Sequence, residues 1–198
     1  TMSATVSFYF DVGSGPSYLA HRRLPDIAAR AGAALVYRPV LAGGLFKATA
    51  GLSTDFGDRV RSTPISETAI LGAAIGAAAA GMRPVAEIMF CDFLGVCMDQ
   101  LVNHAAKLRY MTGGRVTAPI TVRTVVGTGN GPQHSQSFEA WAMHVPGLKV
   151  VFPSNPADAK GLLVSALRSS APTIVLEHRA LFEVQGMVPE ELTPVPIG

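Results

Sequence analysis

The chain has 198 residues, enough to bury a core as one domain or as one domain with an appendage. Its net charge of +2 is too small for a nucleic-acid footprint, and its longest uncharged apolar stretch, residues 69–82, is shorter than the roughly 20 residues of a membrane-spanning helix. Only 15% of the residues are charged, which indicates surface reserved for other subunits, so we expect an oligomer. Nothing at the N-terminus resembles a signal peptide, and we expect a cytoplasmic protein.

The apolar residues switch repeatedly between strand-like and helix-like spacing, which predicts an α/β fold. We expect three layers, in which a parallel sheet carries helices on both faces. Strands are predicted at residues 5–12, 34–40, 85–90, 120–126, 149–152 and 173–177. Helices are predicted at residues 17–30, from Ser66 to Gly81, at residues 95–111, around Trp141 and at residues 156–169. The proline-rich tail after Phe182 predicts a linker.

The two cysteines, Cys91 and Cys97, lie six residues apart in one apolar segment. This spacing indicates neither a metal site nor a disulfide framework. We expect two reduced core residues and no metal ligands in the chain.

Glu67 stands where an extended segment ends and the helix without polar side chains at residues 69–82 begins. One interpretation is a helix cap, because an anion in the first turn gains roughly 0.3–1 kcal/mol from the helix macrodipole. The other is a proton-transfer group, because a carboxyl group facing that apolar helix would be desolvated and its neutral form favoured. The residues alone leave both interpretations open.

Three further features have both a functional and a structural interpretation. His134 lies in a glycine-rich loop between a predicted strand and helix, where a histidine is either functional or merely solvated. Phe93 follows the strand at residues 85–90, where ligands bind in open α/β sheets, although it could equally belong to the core. Gly72 and Gly76 leave one helix face bare, which fits internal packing or a subunit contact.

Several segments together resemble the β subunit of the E1 component of thiamine-diphosphate-dependent 2-oxo acid dehydrogenases. The resemblance runs from about Gly43 to Glu190, and the segments at 93–97 and 186–190 look most like the acetoin and pyruvate branches. The segments that carry it are Thr-Pro-Ile-Ser-Glu at 63–67, Glu-Ile-Met-Phe at 87–90, Asp-Phe at 92–93, Asp-Gln at 99–100, Ala-Ala-Lys at 105–107, Met-Thr-Gly-Gly at 111–114, Gln-His-Ser-Gln at 133–136, and the stretches at 146–151 and 158–162.

The resemblance implies the pyrimidine-binding domain of that subunit and assigns roles to four side chains. Glu67 matches the glutamate that binds the aminopyrimidine ring nitrogen of thiamine diphosphate and shares a proton with it. Met89 and Phe93 match positions that line the aminopyrimidine. His134 matches a histidine that handles protons on the substrate side, although the loop before it is shorter than the family's usual loop.

The resemblance also implies partners. The chain has no Gly-Asp-Gly motif with a downstream asparagine, so an E1 α-like subunit would hold the magnesium and the diphosphate. The reaction implied is decarboxylation of a 2-oxo acid, or cleavage of acetoin, with transfer of the acyl group to a lipoyl carrier. We expect the chain to be inactive alone, since the family's C-terminal domain does not follow Gly198. An assembly module without activity is an alternative.

Residues 1–42 resemble another group, the 2-hydroxychromene-2-carboxylate isomerases and kappa-class glutathione transferases. The matching residues are Phe-Tyr-Phe-Asp at 8–11, Ser14, Ser-Tyr-Leu-Ala at 17–20, Tyr-Arg-Pro at 37–39 and the joint at 43–49. This implies a β-α-β piece of thioredoxin-like sequence whose elements could occupy places on the main sheet. The predicted organisation is therefore an isomerase-like segment at 1–42, the pyrimidine-binding domain at 43–182 and a linker tail at 183–198. A glutathione-dependent isomerase or transferase that uses Ser14 is the alternative function.

Overall fold

The computed structural model describes residues 5–10, 25–26, 29–30, 34–39, 59–127, 129 and 131–197. The chain divides into two compact units, Thr1–Ser66 and Glu67–Gly198. Each unit has a sheet of its own. Ser14, on which the glutathione-dependent alternative rests, lies outside the described residues.

The first unit contains two parallel strands, β1 (Thr5–Phe10) and β2 (Ala34–Pro39), with Thr5 opposite Ala34. Two parallel strands need a crossover connection between them, and residues 25–26 and 29–30 within it are helical. The two strands pair with each other in a two-stranded sheet. The predicted strand ends at Val12 and Val40 lie outside the described residues.

The second unit contains a four-stranded parallel sheet in the order β3-β4-β6-β5. The strands are β3 (Val85–Phe90), β4 (Thr121–Val126), β5 (Lys149–Val151) and β6 (Thr173–His178). The α-helices are α1 (Glu67–Ala79), α2 (Leu108–Met111), α3 (Glu139–Met143) and α4 (Pro156–Arg168). Short 3-10 helices add Pro132–His134 and Arg179–Leu181. The predicted α/β class is confirmed.

Helix α1 ends where its sequence predicts. Gly81 adopts a φ of +96°, which favours glycine, and its N–H donates to the carbonyl of Ala78 at 3.0 Å. The N–H of Met82 reaches back to the carbonyl of Ala77 at 3.0 Å. These two bonds form a Schellman motif, which satisfies carbonyl groups that the end of a helix leaves unpaired.

The helix predicted at residues 95–111 is replaced by three shorter pieces. The positions of the buried residues explain why a 3-10 helix forms first. Cys91, Leu94 and Cys97 recur every three residues, the spacing that keeps one face of a 3-10 helix buried. The next buried residues, Leu101 and Ala105, are four residues apart. The backbone N–H of Ala106 donates to the carbonyl of Leu101 at 2.9 Å, which closes the wider turn of a π-helix. The pieces are a 3-10 helix at Cys91–Cys97, a π-helix at Gln100–Ala105 and α2.

Two hydrophobic clusters cover the two faces of the sheet. On β6, Ile174 and Leu176 belong to the main cluster and Val175 to the smaller one, because successive side chains of a strand point to opposite faces. The main cluster includes Leu71 of α1 and Leu94 and Leu101 of the segment after β3. The smaller cluster is closed by α4 and the tail, through Leu162, Leu163 and Ile197. Helices therefore pack on both faces, as predicted.

Both cysteines are free and buried in the main cluster, as predicted. Burial is the chief reason that the pKa of Cys91 rises to about 11 and that of Cys97 to about 12. Both thiols are therefore neutral at neutral pH and behave as small apolar side chains.

The tail, expected as a linker, contacts α4. The N–H of Val195 donates to the carbonyl of Gly161 at 3.1 Å, and Lys160 donates through Nζ to the carbonyl of Glu190 at 2.9 Å. A Cβ atom at Gly161 would collide with the side chain of Val195 and lie 3.2 Å from the carbonyl oxygen of Thr193. The missing side chain of Gly161 thus permits the tail to approach the helix.

Replacing Gly161 by alanine is therefore expected to release the tail while leaving α4 helical. Alanine favours a helix by about 1 kcal/mol over glycine, but its methyl group would occupy the space of Val195. Hydrogen exchange at the Val195 amide should accelerate, and protease should cut the tail faster. The matched control is Gly76→Ala, because a Cβ there meets nothing within 4 Å. An unchanged exchange rate at Val195 in Gly161→Ala would contradict the docking described.

Candidate functional site

Three rings meet at the carboxyl end of β3. The His134 ring lies 4.7 Å from that of Phe90 and 5.6 Å from that of Phe93, and the two phenylalanine rings are 6.1 Å apart, measured between centroids. The structure thus brings together two predicted site residues, Phe93 and His134, that lie far apart in sequence. Phe90, which the sequence indicated only as a strand residue, is the third member.

Met89, the third predicted site residue in this region, lies at an irregularity of β3. Ile88 is paired with Thr124 and Phe90 with Val125, so Met89 is an extra residue on its strand. Such bulges bend the strand and redirect side chains, and they are frequent next to active sites. Met89 is half-buried and directly precedes the ring cluster in the chain.

Glu67 begins α1, whose start is tied to the same segment. The side-chain hydroxyl of the next residue, Thr68, donates to the carbonyl of Val96 at 3.1 Å, in the 3-10 helix that carries Phe93. After burial, the largest influence that raises the pKa of Cys97 is the negative charge of Glu67. The start of α1 therefore lies close to the segment that carries the ring cluster.

Glu67 is half-buried and, within the described part of the chain, its carboxylate engages in neither a hydrogen bond nor an ion pair. Its acceptor oxygens are therefore available to bind another group. Its place in the first turn of α1 also fits the macrodipole interpretation. Both interpretations of Glu67 are compatible with this geometry.

The segment that carries His134 is fastened to the residues after β3. Oδ1 of Asp92 accepts from the backbone N–H of Gln136 at 3.1 Å and from its side-chain Nε2 at 2.9 Å. The Cys91 thiol donates to the Gln136 carbonyl at 2.9 Å. Neither contact follows from spacing, since the partners are 44 and 45 residues apart.

The start of the His134 loop contacts the end of β6. Gly127 has a φ of +67°, and a Cβ atom there would lie 2.6 Å from Nε2 of His178. The other nitrogen of His178, Nδ1, accepts from the N–H of Ala180 at 3.2 Å, and its ring stacks on Phe152 at 6.2 Å. Gly127 therefore lets backbone and imidazole approach closely where β4 and β6 end.

Three charged residues on the other face of the sheet were not identified from the sequence. Arg123 of β4 donates through Nε and Nη2 to the two carboxylate oxygens of Glu177 on β6, at 2.7 and 2.9 Å. Glu87 of β3 pairs with Arg123 in register, and burial raises its pKa while the guanidinium opposes that rise. The sequence did carry a signal for these residues. Charged residues alternate along the strands with buried apolar residues such as Ile88 and Val122.

A groove of about 540 Å³ lies at the opposite end of the sheet. Arg109, Tyr110, Gly147 and Pro172 line it, and Pro172 directly precedes β6. The groove is thus at the amino ends of the parallel strands, whereas ligands of open α/β sheets bind at the carboxyl ends. The ring cluster, not the groove, is the candidate site.

The described residues contain no group of three or more histidine, cysteine, aspartate or glutamate side chains that could hold a metal ion. Among the same residues, no helix has the length and apolar character needed to cross a membrane.

Comparisons with known proteins identify the family of the domain. The family described as "Transketolase, pyrimidine binding domain" matches residues 22–185. A solved structure titled "Split gene transketolase, inactive beta4 tetramer" covers 68% of the chain and 42% of its own length, with a TM-score of 0.57 and 19% identity. At that identity it supports the fold alone.

Closer sequence relatives are β subunits. The β subunit of acetoin:2,6-dichlorophenolindophenol oxidoreductase is 52% identical over 158 residues in Cupriavidus necator and 48% over 159 residues in Bacillus subtilis. The β subunit of the pyruvate dehydrogenase E1 component of Bacillus subtilis is 45% identical over 160 residues. Each match covers 79% of this chain and 46–49% of the relative, so the chain spans about half the length of these relatives. The chain belongs to the transketolase pyrimidine-binding domain family, as the resemblance to E1 β subunits predicted.

Proposed function

We propose that this chain is the β-subunit-like half of a thiamine-diphosphate-dependent E1 component that acts on a 2-oxo acid or on acetoin. The observation that carries the proposal is Glu67, a half-buried residue whose side chain has no partner in the described part of the chain and whose neighbour Thr68 bonds to the segment bearing Phe93. The relatives named for acetoin and pyruvate support the substrate classes.

The residues at the carboxyl end of β3 fit the aminopyrimidine half of the cofactor. An unengaged carboxyl group suits a ring nitrogen, and an aromatic side chain beside a bulged strand suits a flat ring. When bound, thiamine diphosphate supplies a thiazolium carbon that attacks the substrate carbonyl. This chain would hold the aminopyrimidine and exchange protons with it.

In this proposal Glu67 holds a proton at its carboxyl oxygen and shares it with the ring nitrogen of the aminopyrimidine. Phe93 and Met89 line that ring and exclude water from it. His134, against Phe90 and Phe93, moves protons at the substrate side through its imidazole nitrogens.

A partner chain completes the proposed site. An E1 α-like subunit would hold the diphosphate and its magnesium, because the sequence has no motif for either. The acyl group would then pass to a lipoyl carrier. The chain by itself would bind the aminopyrimidine half and be inactive.

The exposed face of α1 is suited to receive that partner. Among the residues that the structure describes, a Cβ atom at Gly72 or Gly76 would meet nothing within 4 Å, so their packing does not account for these glycines. Val96, on the segment tied to the start of α1, is 57% exposed. Small residues on a helix allow another backbone to approach closely, which favours a subunit contact on this face.

Glu67→Gln is expected to slow exchange of the thiazolium C2 proton by roughly 10²–10⁴-fold in the presence of a cognate α subunit, because the amide cannot transfer a proton to the ring nitrogen. Exchange followed by NMR in deuterated buffer measures this rate. The matched control is Asp158→Asn, which removes a first-turn carboxylate from α4, a helix of 13 residues like α1.

The cap interpretation makes a different prediction for this pair. If Glu67 only stabilises its helix, both variants lose thermal stability and neither changes the exchange rate. Equal exchange rates in the parent and Glu67→Gln would therefore reject the proposed role.

Gly76→Leu is expected to weaken binding of the α subunit by about tenfold or more, because a side chain on the bare face would separate the two backbones. Calorimetric titration measures the affinity. The folded chain itself should keep its melting temperature, since the new side chain points into open space. Ala159→Leu, on the exposed side of α4, is the control expected to bind normally. Normal binding by both variants would show that α1 is not the docking face.

A further inference from the structure

We propose that Asp92 is a positioning residue that sets His134 against Phe90 and Phe93, acting through Gln136. The ring distances and hydrogen bonds stand by themselves, whereas the importance of the position of His134 for catalysis rests on the proposed function. Asp92 is hydrogen-bonded to Gln136, two residues after His134. It fixes the segment that carries the ring.

Three glycines with left-handed backbone conformations precede His134. Gly127, Gly129 and Gly131 have φ values of +67°, +75° and +77°. Glycine reaches this region at no steric cost and has more conformations to lose than other residues. Because these three positions carry no side chain that could pack, contacts made after His134 help to place it.

The turn that carries His134 is, by contrast, closed on itself. The Ser135 hydroxyl donates to the Gly131 carbonyl at 2.6 Å, and the N–H of His134 donates to the same carbonyl at 3.3 Å. Pro132, at the start of this 3-10 turn, has a fixed φ. The turn therefore moves as a unit, and an anchor at its end also places His134.

Gln136 is that anchor, because three of its polar groups are bound. Its backbone N–H and its side-chain amide both donate to Oδ1 of Asp92, and its carbonyl accepts from the Cys91 thiol. Asp92 in turn lies in the first turn of the 3-10 helix that carries Phe93. One carboxylate oxygen thus joins the histidine turn to the aromatic segment against which the ring lies.

The test is NMR of the full 198-residue chain, with Asp92→Ala as the main variant. Ring currents of Phe90 and Phe93 displace the His134 Cε1–H signal, and in Asp92→Ala this signal should move toward the value of an unstructured histidine. Exchange of the Gln136 amide should accelerate about tenfold, which corresponds to about 1.4 kcal/mol. Asp92→Asn keeps an acceptor oxygen and should restore most of the parent spectrum.

Two further variants separate positioning from general loss of structure. Gln136→Ala removes one of the two bonds to Asp92 at an exposed position, so the fold should persist with a smaller displacement of the His134 signal. Asp99→Ala removes a carboxylate that binds another side-chain amide, that of Asn103 at 2.7 Å, and should leave the His134 signal unchanged. An unchanged His134 signal in both Asp92→Ala and Gln136→Ala would overturn the proposal, as would an equal displacement in Asp99→Ala.

Activity is measured separately with the α subunit present. If the His134 signal moves as expected and Asp92→Ala lowers kcat while Asp92→Asn recovers it, positioning and proposed function are both supported. If the signal moves and a His134→Ala variant keeps full activity, the role of His134 in the proposed function fails while the positioning by Asp92 stands.

Discussion

The parallel pairing of β3 with β4 is the constraint on which the site depends. It places the carboxyl ends of the two strands side by side, so the residues after β3 and the loop after β4 meet at one edge of the sheet. The ring cluster of Phe90, Phe93 and His134 forms at that edge. Helix α1 packs over the same sheet face, and the Thr68 hydroxyl ties the start of the helix, next to Glu67, to the aromatic segment. The candidate site therefore results from the arrangement of these elements at one edge of the sheet.

The elements that sequence predicts well are those specified by neighbours along the chain. Strand β3 has the bounds that its apolar residues predict, and α1 ends at Gly81 because only glycine readily takes that backbone conformation. The segment after β3 was predicted poorly, because the burial of Cys91, Leu94 and Cys97 in the core overrides helix propensity. Interactions between distant segments, such as Asp92 with Gln136, leave no periodic signal.

The site residues show the same division. Glu67, Phe93 and His134 could be proposed from motifs, but the proximity of Phe93 and His134 depends on the pairing of strands and on hydrogen bonds across more than 40 residues. The bulge at Met89 and the charges of Glu87, Arg123 and Glu177 became visible only with the register of the sheet. Likewise, the structure was needed to show that the face of α1 with Gly72 and Gly76 is exposed.

The central proposal is that this chain forms half of a thiamine diphosphate site. Calorimetric titration of thiamine diphosphate with magnesium into the chain, into a cognate α subunit and into their mixture tests it directly. The predicted result is tight binding in the mixture alone, because the α subunit supplies the diphosphate half and this chain the aminopyrimidine half. Binding by the mixture no tighter than by the α subunit alone would contradict it.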